Sequence, residues 1–243
     1  MYSFTERVRF SEVNENRKVS LVAIINFFQD CCTFESEDGG VGLDWLYTHH
    51  TAWMLTNWQI KILKRPEYAE KIRITTWACG FRLFIGKRSF KIEDEKTREL
   101  LVYAVSEWAY VNTLNGIPCK DVPQKELDVY GYQEPIELPV DKGRINIRER
   151  KSWIKLPCIT VAENNLDTNH HVNNGQYISI AVSQVESMIP PGSITELRAE
   201  YKAQSKLGDI LYPEVSIDDR SCIVILKDGN GKEKLITELK GDR

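Results

Sequence analysis

The sequence has no long hydrophobic run and no recognisable export signal. No apolar stretch in its 243 residues approaches the ~20 residues of a membrane-spanning helix. Residues 1–7 lack the apolar core of a signal peptide. A net charge of −3 gives no general attraction to nucleic acid or to an anionic membrane. These absences predict a cytoplasmic protein with no membrane span and no nucleic-acid partner.

The common signatures of metal and cofactor sites are also missing. There is no C-x-x-C pair, no P-loop, no G-x-G-x-x-G after a predicted strand and no zinc-ligand spacing. The histidine pairs His49-His50 and His170-His171 are adjacent in sequence, so their side chains should point apart. We therefore predict no metal and no cofactor. Without an export signal, the six cysteines are expected to be reduced and mostly buried.

The chain does contain ample material for a packed core. Its hydrophobic fraction is 42%, with six Trp, ten Tyr and eight Phe, and this composition argues against disorder. The length suits two domains of about 120 residues each.

The same order of elements is predicted twice: a polar loop, an amphipathic helix and a series of strands. In the first half, Ser20 is the predicted N-cap of a helix that begins near Leu21 and stops at Gly39-Gly40. The fold prediction is α+β, with domains at 1–135 and 153–243 and a linker at 136–152, each domain having a long central helix wrapped by an antiparallel sheet. The predicted strands are 4–10, 53–63, 72–80, 83–93, 100–112, 153–160, 195–204, 210–217, 222–227 and 233–238.

The second polar loop carries the most informative stretch, 167–171. It places the carboxylate of Asp167, the carboxamide of Asn169 and the imidazole of His171 at i, i+2 and i+4. The helical pattern that follows consists of Tyr177, Ile178, Ala181, Val182, Val185 and Met188. Backbone N–H groups and the dipole at a helix start can stabilise an oxyanion and favour a neutral His171. The alternative is that these residues only cap the helix or form a turn.

The first polar loop matches the second in character but not in chemistry. A gapless overlay pairs Val13 with Leu166, Asn16 with Asn169 and Val19 with Val172. Asn14 then takes the place of Asp167, and Lys18 takes the place of His171. The first copy is therefore predicted to keep the scaffold and to lack the acid–base pair.

The longer string D-x-N-x-H-V-N-N-x-x-Y-I resembles the signature of the acyl-acyl carrier protein thioesterases, a plant and bacterial family of fatty acyl enzymes. The resemblance extends over roughly residues 4–240, and the absence of an extension similar to a transit peptide favours a bacterial form. The other matching segments are Gln29-Asp30, Leu43-Asp44-Trp45-Leu46, Arg65-Pro66, Ile74-Thr75-Thr76-Trp77, Ser106-Glu107-Trp108 and Glu200-Tyr201-Lys202.

This resemblance implies two hotdog folds in one chain, an active site in the second, and hydrolysis of fatty acyl-acyl carrier protein to free fatty acid. It also implies that Asp167, Asn169 and His171 contribute to catalysis. We expect Asp167 to orient or activate water with His171 as partner base, and Asn169 with helix N–H groups to hold the oxyanion.

One position departs from the family pattern. A family glutamate implicated in activating water closes an E-Y-x-x-E pattern, and the closing position here is Gln204. A carboxamide cannot take a proton from water. Either Asp167 or His171 acts alone, or Glu200 substitutes for the missing base, or the chain is slow.

Three alternatives stay open at this point. A hotdog acyl-CoA thioesterase would differ only in the donor. An enoyl thioester hydratase is disfavoured, because its motif resembles D-x-N-P-x-H and no proline follows Asn169. A non-catalytic acyl-binding protein is favoured only by Gln204.

The resembled family also implies residues that bind the acyl chain and the carrier. Its first domain lines the acyl tunnel, which makes Leu21, Ile24, Ile25, Phe28 and Trp53 candidates, although for any one of them a place in the core is the simpler explanation. Carrier proteins are acidic, so a basic run is a candidate docking surface. A homodimer is a further expectation. The run consists of Lys142, Arg144, Arg148, Arg150 and Lys151.

Overall fold

The computed structural model describes residues 1–141, 143–189, 191–219 and 221–241, which fall into two compact units. The amino-terminal unit comprises Met1–Val19 and Ile24–Val140. The carboxy-terminal unit comprises Ser20–Ala23 and the chain from Asp141 onward, so the division lies inside the predicted linker. Each unit places a helix against an antiparallel sheet, which confirms the predicted α+β class with two hotdog folds. Within the described residues, no helix is both long and apolar enough to span a membrane.

The amino-terminal unit is built on a five-stranded antiparallel sheet in the order β1-β3-β4-β5-β2. Its strands are β1 (Tyr2–Arg7), β2 (Thr51–Ile62), β3 (Lys71–Arg82), β4 (Ile85–Asp94) and β5 (Leu100–Asn112). Its helices are α1 (Leu21–Asp38), of which residues 21–23 belong to the carboxy-terminal unit, α2 (Leu43–Thr48) and α3 (Gln124–Tyr130).

Helix α1 is the central element of this unit. It begins as predicted, because the Ala23 N–H donates to Ser20 Oγ at 3.1 Å. It ends at Asp38, two residues before Gly40, whose φ of 69° is the left-handed conformation that suits glycine. Phe28 packs against Trp58 of β2 and Phe90 of β4, with ring centroids 5.8 and 5.1 Å apart. This aromatic contact fixes the helix on the sheet through dispersion and apolar burial.

The carboxy-terminal unit repeats this arrangement with a shorter helix. Its sheet has the order β8-β11-β10-β9-β6, and β7 also pairs with β9. The elements are β6 (Ile154–Lys155), β7 (Ile159–Thr160), α4 (Asn174–Ser183), β8 (Ile194–Tyr201), β9 (Ile210–Ile217), β10 (Cys222–Lys227) and β11 (Glu233–Gly241). The buried face of α4 includes Tyr177, Ile178 and Ala181.

Several details differ from the sequence predictions. Helices α2 and α3 were not predicted, and the strand expected at 153–160 is two short strands separated by Pro157, which cannot donate to a ladder. Helix α4 ends at Ser183, so Met188 is 42% exposed and does not lie on the buried face.

The cysteines also differ in part from the prediction. All six lie in the described residues as free thiols, but only Cys31 and Cys222 are fully buried, and Cys158 is exposed.

Candidate active site

The Asp167 side chain organises the turn that carries the predicted catalytic residues. Its Oδ1 atom accepts hydrogen bonds from the backbone N–H of Asn169 at 2.8 Å and of His171 at 3.1 Å. The Asp167 N–H donates to the His171 carbonyl at 2.8 Å, and His170 adopts a left-handed φ of 59° at the tip. The spacing of the motif is thus the spacing of a local side-chain-to-backbone turn. It brings the three predicted residues together.

The residue that caps helix α4 is Asn173. Its Oδ1 accepts from the N–H groups of Gly175 at 2.8 Å and Gln176 at 3.4 Å. The predicted catalytic residues are therefore not the helix cap. The N–H groups of Gly175 and Gln176 thus already have a partner. An oxyanion role for N–H groups at this helix start stays a prediction. The sequence signal for this cap was present, since Asn173 directly precedes the helical pattern.

His171 is half-buried, and its surroundings favour the neutral imidazole. Burial lowers the pKa of His171 below its ordinary value, and the charges of Lys206 and His170 act in the same direction. The carboxylate of Asp167 opposes this shift. A neutral imidazole near pH 7 can accept a proton, as general-base catalysis requires.

The loop of the amino-terminal unit has the same hydrogen bonds without the acid–base groups. Asn14 Oδ1 accepts from the N–H groups of Asn16 and Lys18, each at 3.1 Å. The Asn14 N–H donates to the Lys18 carbonyl at 2.9 Å, and Arg17 at the tip has a φ of 60°. This confirms the predicted overlay of Asn14 on Asp167. The first copy keeps the scaffold with a carboxamide and an ammonium in place of the carboxylate and the imidazole.

The segment after β8 lies against the start of α4. The Val172 N–H donates to the Ser205 carbonyl at 2.9 Å, directly after His171. Gln204, the neighbour of Ser205, is exposed in this segment. The predicted position of the family glutamate is therefore next in sequence to a residue that contacts Val172 directly.

Glu200 is the wrong candidate for a substitute base. The hydroxyl of its neighbour Tyr201 reaches α4, and successive residues of a strand point to opposite faces. Glu200 accordingly faces away from α4, where its Oε1 accepts from the Ile145 N–H at 2.6 Å and its Oε2 pairs with Lys202.

The candidate acyl-binding residues lie among buried side chains. Trp53 is half-buried, and its Nε1 donates to the carboxylate of Glu126 at 2.8 Å. A role of these residues in an acyl tunnel stays a prediction. The buried members of the set are Leu21, Ile24, Ile25 and Phe28.

The basic run divides into exposed residues and one buried residue. Arg144, Arg148 and Lys151 are exposed, whereas Lys142 lies outside the described residues. The Arg150 side chain is only 8% exposed, and its guanidinium pairs with Asp218 at 2.7 Å. The expectation that Arg150 contributes to a docking surface is therefore wrong, because its charge is already used inside the unit.

Comparisons with known proteins agree with this architecture. A family model described as the acyl-ACP thioesterase N-terminal domain matches residues 1–124. The chloroplastic acyl-[acyl-carrier-protein] hydrolase FATB2 of Cuphea viscosissima is 22% identical over 223 residues, which cover 87% of this chain and 54% of that protein. The chain thus spans about half the length of the curated relatives it matches.

Solved structures show the same fold over nearly the whole chain. An acyl-ACP thioesterase from Bacteroides thetaiotaomicron has a TM-score of 0.82 and 20% identity, covering 99% of this chain and 97% of that one. The 12:0-ACP thioesterase from Umbellularia californica has a TM-score of 0.83 and 20% identity, covering 99% and 96%. At this identity the likeness shows the fold alone.

Proposed function

This chain belongs to the acyl-ACP thioesterase family, and from that premise we propose that it hydrolyses the thioester bond of a fatty acyl-acyl carrier protein. The products are the free fatty acid and the carrier thiol.

One observation carries the proposal: the two units share a turn but differ in its chemistry. Asn14 and Asp167 accept the same two backbone hydrogen bonds, so the turn itself requires no carboxylate. A carboxylate and a half-buried neutral imidazole nevertheless stand together at 167 and 171. Chemistry rather than folding accounts for that pair.

The roles follow from the contacts of each residue. The turn uses Oδ1 of Asp167, and we assign Oδ2 to orienting the attacking water. His171 takes the proton of that water as its oxygen attacks the thioester carbonyl carbon. The turn uses only the backbone N–H of Asn169, so its carboxamide is assigned to the oxyanion, a contribution of about 3–4 kcal/mol. The C–S bond then breaks, and the thiolate receives the proton from the imidazole, with little acid assistance because a thiol pKa is near ~8.5.

Recognition of the carrier is assigned to the exposed members of the basic run. Arg144, Arg148 and Lys151 present positive charge in a chain with a net charge of −3. An acidic carrier protein would be steered to them by charge. A homodimer and a cytoplasmic location, both expected from the sequence, stay predictions.

The test is a turnover assay that detects the released thiol. Acyl-acyl carrier protein and acyl-coenzyme A of equal chain length are compared as substrates, with His171→Ala as the disabled variant. We expect a higher kcat/KM for the carrier-bound substrate and a loss of at least ~10²-fold in kcat for the variant. Equal rates of wild type and variant would show that the site is misassigned.

A second candidate, a non-catalytic acyl-binding protein, is favoured by Gln204 alone. In that case acyl-acyl carrier protein would bind saturably without thiol release, and His171→Ala would leave binding unchanged. Measuring binding and turnover on the same sample separates the two functions.

A further inference from the structure

Two tyrosine hydroxyls connect helix α4 with the end of β8 and the segment that follows it. One tyrosine lies on the helix and the other, half-buried, lies on the strand. Tyr177, in the first turn of α4, is 3% exposed, and its hydroxyl donates to the Ala203 carbonyl at 3.3 Å. Tyr201, the last residue of β8, donates to the Asn174 carbonyl at 3.1 Å. The two rings meet edge-on, with centroids 6.2 Å apart. With the bond from Val172 to Ser205, three hydrogen bonds therefore join these two short segments.

The amino-terminal unit supplies an internal comparison. There the Val19 N–H donates to the Pro66 carbonyl at 2.9 Å, which corresponds to the bond between Val172 and Ser205. Counting from these matched ends, Tyr177 corresponds to Ile24 and Tyr201 to Ile62. Both isoleucines are buried. Apolar side chains thus suffice to pack the helix start against the strand end where no catalytic residues are present.

The two hydroxyl hydrogen bonds constrain the relative position of the two segments more closely than apolar burial alone would. Apolar burial depends on area, whereas a hydrogen bond constrains both distance and angle. The constrained segments are those that carry His171 and Gln204. Burial raises the pKa of Tyr177 to about 12 and also raises the pKa of Tyr201, so both hydroxyls keep their protons as donors across the working pH range.

We propose that Tyr177 and Tyr201 are positioning residues, which hold the His171 turn in register with the segment around Gln204. The proposal rests on the thioesterase function proposed above. Neither tyrosine is assigned a contact with the reacting atoms. They contribute by holding the His171 base at the distance from the bound thioester that the reaction requires. A displacement of about 1 Å can lower the rate about 100-fold.

The test compares Tyr177→Phe and Tyr201→Phe with a matched control. Tyr103 is also 3% exposed and donates to a backbone carbonyl, that of Pro139, at 3.1 Å, but it lies in the amino-terminal unit. Tyr103→Phe therefore removes a hydroxyl that makes the same kind of hydrogen bond, in the unit that does not carry the motif. All three variants should lose similar thermal stability, since each loses one hydrogen bond.

The expected results separate positioning from stability. Tyr177→Phe and Tyr201→Phe should lower kcat by about tenfold to about 100-fold with KM nearly unchanged, whereas Tyr103→Phe should keep the wild-type kcat. Loosening the turn should also expose His171, so its imidazole pKa, measured by NMR titration, should rise towards the ordinary value of 6.5 in the first two variants only.

Two outcomes would overturn different statements. If the wild type hydrolyses acyl thioesters and all three variants share its kcat and its His171 titration, the positioning role is wrong. If the wild type shows no turnover, the proposed function fails. The NMR titration then still decides whether the two hydroxyls hold the His171 turn.

Discussion

Asp167 has two separable roles, one in the turn and one in catalysis, and Asn14 has only the first. Asp167→Asn keeps a carbonyl oxygen where Oδ1 accepts from Asn169 and His171, as the Asn14 side chain already does in the other unit. Asp167→Ala removes that acceptor. Asn14→Asp and Asn14→Ala are the matched changes in the copy without the acid–base pair.

The magnitudes differ between the four variants. Either alanine variant loses two hydrogen bonds of about 0.5–1.5 kcal/mol each, or about 1–3 kcal/mol in total. For a chain of this size the melting temperature falls by about 2–4 °C per kcal/mol. Asp167→Asn should keep the wild-type melting temperature and lose ~10²–10⁴-fold in kcat, because a carboxamide cannot act on water as a carboxylate does. Asn14→Ala should lose stability and keep kcat.

The assay measures thiol release and thermal unfolding on the same four proteins. Wild-type turnover by Asp167→Asn would refute the catalytic assignment. A loss of stability in Asp167→Ala but not in Asn14→Ala would refute the equivalence of the two turns. Asn14→Asp should have the kcat and the melting temperature of the wild type. This control shows whether a carboxylate in the first copy affects either quantity.

Three further predictions concern the pH dependence of the reaction, the position where Gln204 departs from the family pattern, and the basic run. Because the pKa of His171 is lowered, kcat/KM should fall on the acid side with a midpoint below 6.5 in a pH–rate profile. Asp167→Asn should move that midpoint lower still, since the carboxylate raises this pKa, and an upward movement would contradict the assignment. Gln204→Glu should leave kcat equal or higher, because it adds a base at an exposed position beside the turn. A large drop in rate with an unchanged melting temperature would count against the match of Gln204 to the family glutamate. Arg148→Glu should raise KM severalfold for carrier-bound substrate at low salt and leave KM for short carrier-free thioesters unchanged, and an equal effect on both substrates would exclude docking. Arg150→Glu should instead lower the melting temperature, because it adds a third negative charge beside Asp218 and Glu238.

The sequence predicted the long elements because their periodicity is a local property. Helix α1 and strands β2 to β5 extend over 10 to 18 residues each, long enough for a repeat to be recognised. Helix α3 has only 7 residues, and its buried Glu126 accepts hydrogen bonds from Trp45, Trp53 and Tyr110. Those donors are distant in sequence, so no local pattern indicates them.

The candidate site likewise has a local part that the sequence could predict and a part that depends on distant residues. The turn at 167–171 was predictable because every hydrogen bond in it joins residues within four positions of each other. The contact of Val172 with Ser205 depends on the sheet and was not predictable. Arg150 was misassigned for a related reason. A run of positive charges is usually a solvated surface, but Asp218 and Ser221 come from a distant loop to bury this one.

The duplicated turn also limits what its shape can say about function. Asn14 and Asp167 produce the same backbone geometry, including a left-handed residue at the tip. A search for that geometry alone would therefore return both copies. The copies differ in the charge of the acceptor, in the base at the end of the turn and in the hydroxyls beneath the helix start. Each of these differences leaves the fold of the turn intact, so the specific chemistry of the second copy lies in its side chains and in how firmly they are held.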